Sequence, residues 1–195
     1  MNELPCEMSS RISVTIVDLE KEALDWAMSS HREFPPSDGV GDLQTFQGDL
    51  RTAVLSSGRH WIDIDPYGSP APFIDSAMQS MARSGVMEVS ATDTAALTGS
   101  SKTALMRRYG ARVRTDCLAH DSGMRVMLSN ISRIAARHDR AIEPLLSVWD
   151  SHHLRVSFRV IKSVSSANIL EERIGWRVSP RIRRRLPLQL ILGYK

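Results

Sequence analysis

The sequence predicts an α/β protein, in which a β-sheet carries helices on both faces. Two observations favour this class. Short runs rich in β-branched residues recur along the chain, and most are followed by a stretch with apolar residues at helical spacing. Such alternation of strand and helix is typical of sheets with helices packed on both sides. With 195 residues, of which 42% are hydrophobic, the chain is long enough to bury the core that this fold needs.

The predicted strands are short and rich in β-branched and aromatic residues, as half-buried or buried strands are. They cover residues 11–17, 43–47, 60–64, 86–91 and 154–160. The last of these has strict period two, because Leu154, Val156, Phe158 and Val160 alternate with polar residues.

The predicted helices follow these strands and have apolar residues on one side. They cover approximately residues 19–34, 51–56, 70–81, 102–109 and 122–138. Pro35-Pro36 ends the first helix, and Pro70 and Pro72 suit the first turn of the third. Gly110 closes the fourth helix.

An acidic residue follows each of the first four predicted strands. These residues are Asp18, Asp49, Asp65 and Asp93. In open α/β sheets, ligands bind beyond the carboxyl ends of the strands. In dinucleotide sites, an acid at such a strand end can bind the hydroxyls of a ribose. Helix capping accounts for one or two such acids, and for each acid alone a helix cap or a solvated acid remains the alternative. As a set they predict a nucleotide-type site, with Asp18 at the ribose and Asp49, with the Leu50 backbone, at an adenine edge.

The run from Asp63 to Pro70, Asp-Ile-Asp-Pro-Tyr-Gly-Ser-Pro, is the most informative stretch of the chain. A strand that stops at Asp65-Pro66 can hold a planar amine between a carboxylate and a backbone carbonyl, and Tyr67 can stack on the attached base. This pattern indicates methylation of a nucleobase amino group. The alternative is a buried strand that ends in a Pro-Gly turn.

Charge is distributed unevenly along the chain. Residues 1–106 contain 7 Lys or Arg and 15 Asp or Glu, whereas residues 107–195 contain 18 and 7. The basic excess is mostly arginine, which favours a nucleic-acid partner. Arg125, Arg133 and Arg137 on the longest predicted helix are candidates for phosphate contact. A solvated helix face is equally consistent with these three arginines.

Neither a membrane span nor a signal peptide is predicted, and Cys6 and Cys117 lack metal-ligand spacing. A reduced, cytoplasmic compartment is therefore expected. The pair His152-His153 stands at a strand start, which favours a structural role over a metal site.

Several motifs together resemble the tRNA guanine-26 N2-dimethyltransferase family. They include the run from Asp63 to Ala77, which opens with the Asp-Pro-Tyr-Gly motif, and the run from Ala91 to Gly99. Arg108-Tyr109-Gly110-Ala111, the run from Gly123 to Leu128 and Pro144-Leu145-Leu146-Ser147 follow in order. The resemblance covers roughly residues 14–160.

This resemblance implies a Rossmann-like class I methyltransferase that uses S-adenosyl-L-methionine and adds one or two methyl groups to the N2 atom of a tRNA guanine. Asp65, Pro66 and Tyr67 carry over as the catalytic amine site. The residues that carry over to the cofactor are Asp18, Asp49, Leu50 and Asp63. Those that carry over to the tRNA are Thr92, Asp93, Arg125, Arg133 and Arg137.

The chain also departs from the family pattern at both ends. Only Met1–Ser10 precede what resembles the second strand, so the first strand and its Gly-containing loop are expected to be missing. Gly39-Val40-Gly41 follows a Pro-Pro break, which is the wrong context for that loop. We therefore expect a fragment, with a partial methyltransferase domain at 1–162. Residues 163–195, with the cluster Arg181–Arg185, would begin a truncated basic region.

Two alternatives remain at this point. The chain can be a catalytically silent RNA-binding remnant, or a methyltransferase of another nucleobase amino group. The second is the weaker alternative, because adenine-type sites carry Asn/Asp-Pro-Pro-aromatic, and the continuation Gly68-Ser69-Pro70 fits that pattern poorly.

Overall fold

The computed structural model describes residues 12–35, 42–56, 58–176 and 192–194. The chain consists of two compact units, Met1–Ser56 and Ser57–Lys195. The predicted α/β class is confirmed. The expectations for Met1–Ser10, Gly39–Gly41 and Arg181–Arg185 lie outside the described residues, and the domain division at residue 162 stays a prediction.

The first unit consists of a parallel pair of strands and the helices that follow them. In order it contains β1 (Val14–Asp18), α1 (Lys21–Glu33), β2 (Leu43–Gln47) and α2 (Leu50–Ala53), which continues as a 3₁₀ turn (Val54–Ser56). Val14 pairs with Leu43 and Asp18 with Gln47. Both strands therefore end at the same edge, as the sequence predicted.

The second unit contains a four-stranded mixed sheet. In chain order it contains β3 (Arg59–Ile64), α3 (Ala71–Ser80), β4 (Met81–Ala91), α4 (Thr94–Leu97), α5 (Lys102–Tyr109), α6 (Ala119–Arg137), β5 (Arg140–Asp150), β6 (His153–Lys162), α7 (Val164–Asn168), α8 (Leu170–Arg173), β7 (Ile174–Trp176) and β8 (Leu192–Tyr194). The strand order is β3-β4-β6-β5, and β7 and β8 form a separate antiparallel pair. Strand β3 is parallel to β4, whereas β6 is antiparallel to both of its neighbours.

A continuous apolar layer crosses this sheet because buried residues face one another in register. Met87 on β4 pairs with Ile62 on one side and with Phe158 on the other. Val89 pairs in the same way with Ile64 and Val156. All of these side chains are buried. Helices α3 and α6 contact each other and, through their buried apolar faces, the sheet.

Strand β5 was not predicted from the sequence. It contains Pro144 and a run of exposed residues, a pattern that lacks the alternation of a half-buried strand. Because β5 lies at the edge of the sheet, a proline is tolerated there, and the register shifts between Pro144 and Leu146. No helix in the described ranges is long and apolar enough to cross a bilayer.

Candidate active site

Three consecutive residues of the loop between β3 and α3 present groups that have no partner among the described residues. Within the described part of the chain, the exposed Asp65 carboxylate has no hydrogen bond or ion pair, and the Pro66 carbonyl accepts no hydrogen bond. The ring of Tyr67 is fully exposed. A carboxylate, a carbonyl and an aromatic ring therefore stand together at one strand end, free to bind a ligand.

This loop is fixed to the end of the neighbouring strand by Thr92. The Gly68 backbone N–H donates to Thr92 Oγ1 at 2.7 Å, and the Thr92 N–H donates to the Gly68 carbonyl at 2.9 Å. Thr92 directly follows β4, which runs parallel to β3. Gly68 has a φ of 84°, a left-handed conformation that glycine adopts without strain. The two strand ends therefore hold one loop conformation.

A second set of contacts anchors the far end of the loop to α5. The Tyr109 hydroxyl donates to Asp93 Oδ1 at 2.8 Å and lies 2.8 Å from Ser69 Oγ. Because the single proton of Tyr109 goes to Asp93, Ser69 is the donor in the second bond. Arg108 Nη1 donates to Asp93 Oδ2 at 2.9 Å.

The environment of Tyr109 keeps its hydroxyl protonated. Burial, together with the nearby negative charge of Asp93, raises the pKa of Tyr109 far above its usual range. The Asp93 side chain is itself 7% exposed. The Asp93 carboxylate is thus buried and bound by two donors of the same helix.

Three predicted site residues in or just after β3 and β4, which are Asp63, Thr92 and Asp93, have partners within the protein. Thr92 and Asp93 support the loop as just described. Asp63 Oδ2 accepts a hydrogen bond from Arg155 Nη2 at 2.7 Å, and Arg155 also binds Glu88 on the intervening strand. The assignments of Thr92 and Asp93 to the tRNA, and of Asp63 to the cofactor, stay predictions.

In the first unit, Asp18 and Asp49 lie at neighbouring strand ends. Asp18 Oδ1 accepts from the Glu20 backbone N–H at 2.8 Å, and the Gly48 N–H donates to the Asp18 carbonyl at 2.9 Å. Asp49 caps α2 by accepting from the Arg51 backbone N–H at 2.8 Å. Hydrogen bonds from the Arg51 guanidinium and backbone lower the pKa of Asp49 from 3.8 to about 2.

The three arginines predicted to contact phosphate differ in their surroundings. Arg125 pairs with Asp121 at 3.0 Å, and Arg137 pairs with Asp75 at 3.1 Å. Arg133 is exposed and has no ion pair among the described residues. Two of the three positive charges are therefore partly neutralised by neighbouring acids.

Sequence reasoning missed the link between α5 and the loop. Tyr109 and Arg108 belong to a motif that carried the family resemblance, but no role was predicted for either. Tyr109 lies 40 residues from Ser69, and nothing in their local sequence indicates that they meet.

Comparison with known proteins points to one family. The family model described as N2,N2-dimethylguanosine tRNA methyltransferase matches residues 6–179. A Thermoplasma volcanium tRNA (guanine(26)-N(2))-dimethyltransferase is 43% identical over 116 residues, which are 60% of this chain and 34% of that protein. The Aquifex aeolicus tRNA (guanine(26)-N(2)/guanine(27)-N(2))-dimethyltransferase is 34% identical over 119 residues, covering 61% of this chain and 30% of that protein.

The fold has a counterpart among solved structures. Trm1 from Pyrococcus horikoshii, solved with S-adenosyl-L-methionine, superposes with a TM-score of 0.82 at 23% identity, over 93% of this chain and 55% of that one. The chain spans about a third of the length of the curated relatives named above. By the match over residues 6–179, the chain belongs to the N2,N2-dimethylguanosine tRNA methyltransferase family.

Proposed function

We propose that this protein transfers methyl groups from S-adenosyl-L-methionine to the exocyclic N2 of guanine 26 in tRNA. The observation that carries the proposal is the loop at Asp65-Pro66-Tyr67, whose carboxylate, carbonyl and ring have no partners in the described part of the chain. Membership of the dimethylguanosine family supports the choice of guanine and of tRNA.

The chemistry of the amine explains why these three groups are needed. The lone pair of the guanine N2 is delocalised into the ring, so the amine is a poor nucleophile. Hydrogen bonds from its two N–H groups to Asp65 and to the Pro66 carbonyl localise the lone pair on nitrogen. Tyr67 stacks on the base once it is flipped out.

Asp65 also completes the proton balance. As the N–C bond forms and the S–C bond breaks, the nitrogen loses one proton, which the Asp65 carboxylate accepts. When bound, S-adenosyl-L-methionine supplies a methyl group already activated on a sulfonium. The contribution of the protein is therefore largely positioning, which the hydrogen bonds at Gly68 and Ser69 provide.

The cofactor is assigned to the edge of the first unit. The exposed Asp18 carboxylate has lone pairs left to accept from two ribose hydroxyl groups, since among the described residues only the Glu20 N–H donates to it. The Leu50 N–H is at the first position of α2 and makes no backbone bond to any described residue, so it can donate to an adenine ring nitrogen. Asp49 stabilises this helix start and stands beside it.

Thr92 and Asp93 are proposed to act on the tRNA through the loop. Both side chains are used in holding Gly68 and Ser69, directly for Thr92 and through Tyr109 for Asp93. They are therefore positioning residues in this proposal, whereas Asp65, Pro66 and Tyr67 touch the base.

Methyl transfer to a defined transcript tests the proposal. The 195-residue chain is incubated with labelled S-adenosyl-L-methionine and a tRNA transcript, and the nucleosides are separated by liquid chromatography and mass spectrometry. We expect N2-methylated guanosine from a transcript with guanine 26 and none from one with adenine 26. Asp65→Asn should lower the rate at least about 100-fold, whereas Glu22→Gln, an exposed acid on α1, should not. Unchanged transfer by Asp65→Asn would refute the assigned role.

A second candidate is RNA binding without methyl transfer. It is supported by the engagement of the Asp49 carboxylate by Arg51, which occupies a group expected to face the adenine. Titration calorimetry with S-adenosyl-L-methionine separates the candidates. Cofactor binding supports the enzyme, and retained tRNA binding without any cofactor binding supports the second candidate.

A further inference from the structure

We propose that three arginines on and after α5 form a surface that binds tRNA phosphates beside the amine loop. This surface, termed here the α5 cationic surface, consists of Arg107, Arg112 and Arg114. Lys102 is not part of it, because it lies three residues before the buried Leu105 and therefore on the opposite side of α5 from Arg107. The identification of the RNA as tRNA rests on the proposed function. Charge, exposure and packing support the surface itself.

The charge of this region is unbalanced over a long stretch. Residues 94–115 contain five cations, which are Lys102, Arg107, Arg108, Arg112 and Arg114, and not one Asp or Glu. Arg108 is paired with Asp93. The other four are exposed and have no ion pair among the described residues. A group of exposed cations without acids creates a positive potential that favours a polyanion.

The packing of α5 directs its central cation outward. Leu105 and Tyr109, four residues apart, are both buried and mark the inward side of the helix. Arg107 lies midway between them in sequence, which places it on the opposite side. Its guanidinium therefore faces solvent.

The segment after α5 presents two further cations in the same manner. Ala111 and Val113 are buried, whereas Arg112 and Arg114 between and after them are exposed. Successive side chains of an extended segment point to opposite sides, so this alternation is expected when one side of the segment packs on the core and the other faces solvent. Both arginines are thus held on the outer side.

Close packing against a turn keeps this segment in place. Gly99 has a φ of 83°, and a Cβ on it would lie 2.5 Å from the Val113 carbonyl oxygen, so the two backbones are in direct contact. Thr115 Oγ1 donates to the Thr98 carbonyl at 3.2 Å. Arg112 and Arg114 lie within this anchored stretch, so their backbone requires little ordering when a ligand binds.

The same helix is tied to the amine loop. Tyr109 contacts Ser69, and both Tyr109 and Arg108 bind Asp93 at the end of β4. A phosphate held on the α5 cationic surface therefore has a defined position relative to Asp65. By contrast, Arg125 and Arg137 on α6 have acidic partners. The α5 cationic surface is thus favoured over α6 as the main phosphate contact.

The salt dependence of binding tests this surface. Fluorescence anisotropy with an end-labelled guanine-26 tRNA transcript gives the association constant at several salt concentrations. For the threefold variant Arg107→Gln, Arg112→Gln and Arg114→Gln, we expect the slope of log K against log salt to become less negative by about 2 to 3. Each single variant should change the slope by about 1.

Arg83→Gln is the matched control. Arg83 is exposed and lies near the start of β4, at the opposite strand end from Asp93. The slope of log K against log salt for the Arg83→Gln variant should equal that of the unaltered chain. An unchanged slope in the threefold variant, in protein with an unaltered circular dichroism spectrum, would overturn the proposal. A complete lack of tRNA binding by the unaltered chain would do so as well.

The outcomes for this surface and for the proposed function are distinguishable. Asp65→Asn should bind tRNA with an unaltered slope, because Asp65 is not part of the α5 cationic surface. If the chain binds tRNA through these cations but transfers no methyl group, the surface stands and the proposed function fails. If it transfers methyl groups and the slope is insensitive to the three substitutions, only the surface fails.

Discussion

The two units of this chain differ in how well each buries its own apolar residues. Among the described residues of the first unit, the buried apolar side chains are Leu24, Ala53 and Val54. Trp26 is 74% exposed and Phe34 is 63% exposed. In the second unit, four strands share a continuous buried layer under two helices. A two-stranded pair has too little surface to bury such side chains, whereas three or more strands packed on helices have enough.

This difference matters for the proposed reaction, because the proposed amine site lies in the second unit and the proposed cofactor residues Asp18 and Asp49 lie in the first. The loop proposed to hold the amine follows β3 of a well-packed sheet and is fixed by hydrogen bonds to Thr92 and Tyr109. The acids assigned to the cofactor follow strands with little apolar burial. We therefore expect the amine half to be rigid in this chain and the cofactor half to open readily. The following predictions test that contrast in order of decreasing effect.

Hydrogen exchange should show the largest contrast. Amides in the β4–β6 ladder are expected to exchange only on global unfolding, whereas those in the β1–β2 ladder should exchange by local opening. We expect protection factors to differ at least about 1,000-fold. Exchange followed by nuclear magnetic resonance measures this directly, and similar protection in the two ladders would contradict the contrast.

Truncation of one aromatic residue in each unit should have very different costs. Phe158 is completely buried, and Phe158→Ala is expected to lower the free energy of unfolding by about 3–5 kcal/mol. Trp26→Ala, at an exposed position of α1, should change it by less than about 0.5 kcal/mol. Urea denaturation followed by circular dichroism measures both values. A large effect at Trp26 would show that this ring is buried in solution.

Removal of the Thr92 hydroxyl should loosen the loop without unfolding the sheet. Thr92→Val keeps the shape but leaves the Gly68 N–H without its partner at 2.7 Å, which costs about 1–2 kcal/mol. We expect kcat for methyl transfer to fall about 10-fold, with KM for tRNA little changed, because positioning is lost but binding is kept. Thr92→Ser retains the hydroxyl and should restore most of kcat. A merely structural role would give equal loss in both variants.

Titration of Asp49 should show the smallest effect. Its pKa in the folded chain is about 2, lowered from 3.8 mainly by the side-chain hydrogen bond from Arg51. Since the folded pKa is the lower one, the resulting stabilisation is present above pH 3.8 and is lost as the pH falls from 3.8 through about 2. Arg51→Gln should move the pKa toward 3.8, as followed by the carboxyl carbon resonance. Arg32→Gln, in the last turn of α1, should leave the pKa of Asp49 unchanged.

Much of the local structure could be predicted because it depends on neighbouring residues. Strands β1, β2 and β3 and helices α1 and α5 begin and end within a few residues of the predicted positions. The β-branched runs, the proline break after α1 and Gly110 are all local signals. The boundary between α3 and β4 was less accurate: Met81 begins β4, but its apolar spacing placed it in the preceding helix. The family resemblance is likewise local, since it rests on short motifs in a fixed order.

The sequence by itself thus determined the α/β class, the strand-end acids and the three residues proposed to hold the amine. Only the tertiary structure decided the strand order β3-β4-β6-β5, because hydrophobic periodicity is the same in parallel and antiparallel strands. It also decided that Arg140–Asp150 form a strand of this sheet, because the exposed residues of β5 lack the alternation of a half-buried strand. Only the tertiary structure decided which polar groups are free. Asp65 and Asp93 each stand within two residues of a strand end. Asp93 is bound by Tyr109 and Arg108, 16 and 15 residues away, whereas Asp65 has no side-chain partner among the described residues. Such pairings depend on how the chain packs in three dimensions, which local sequence patterns do not encode.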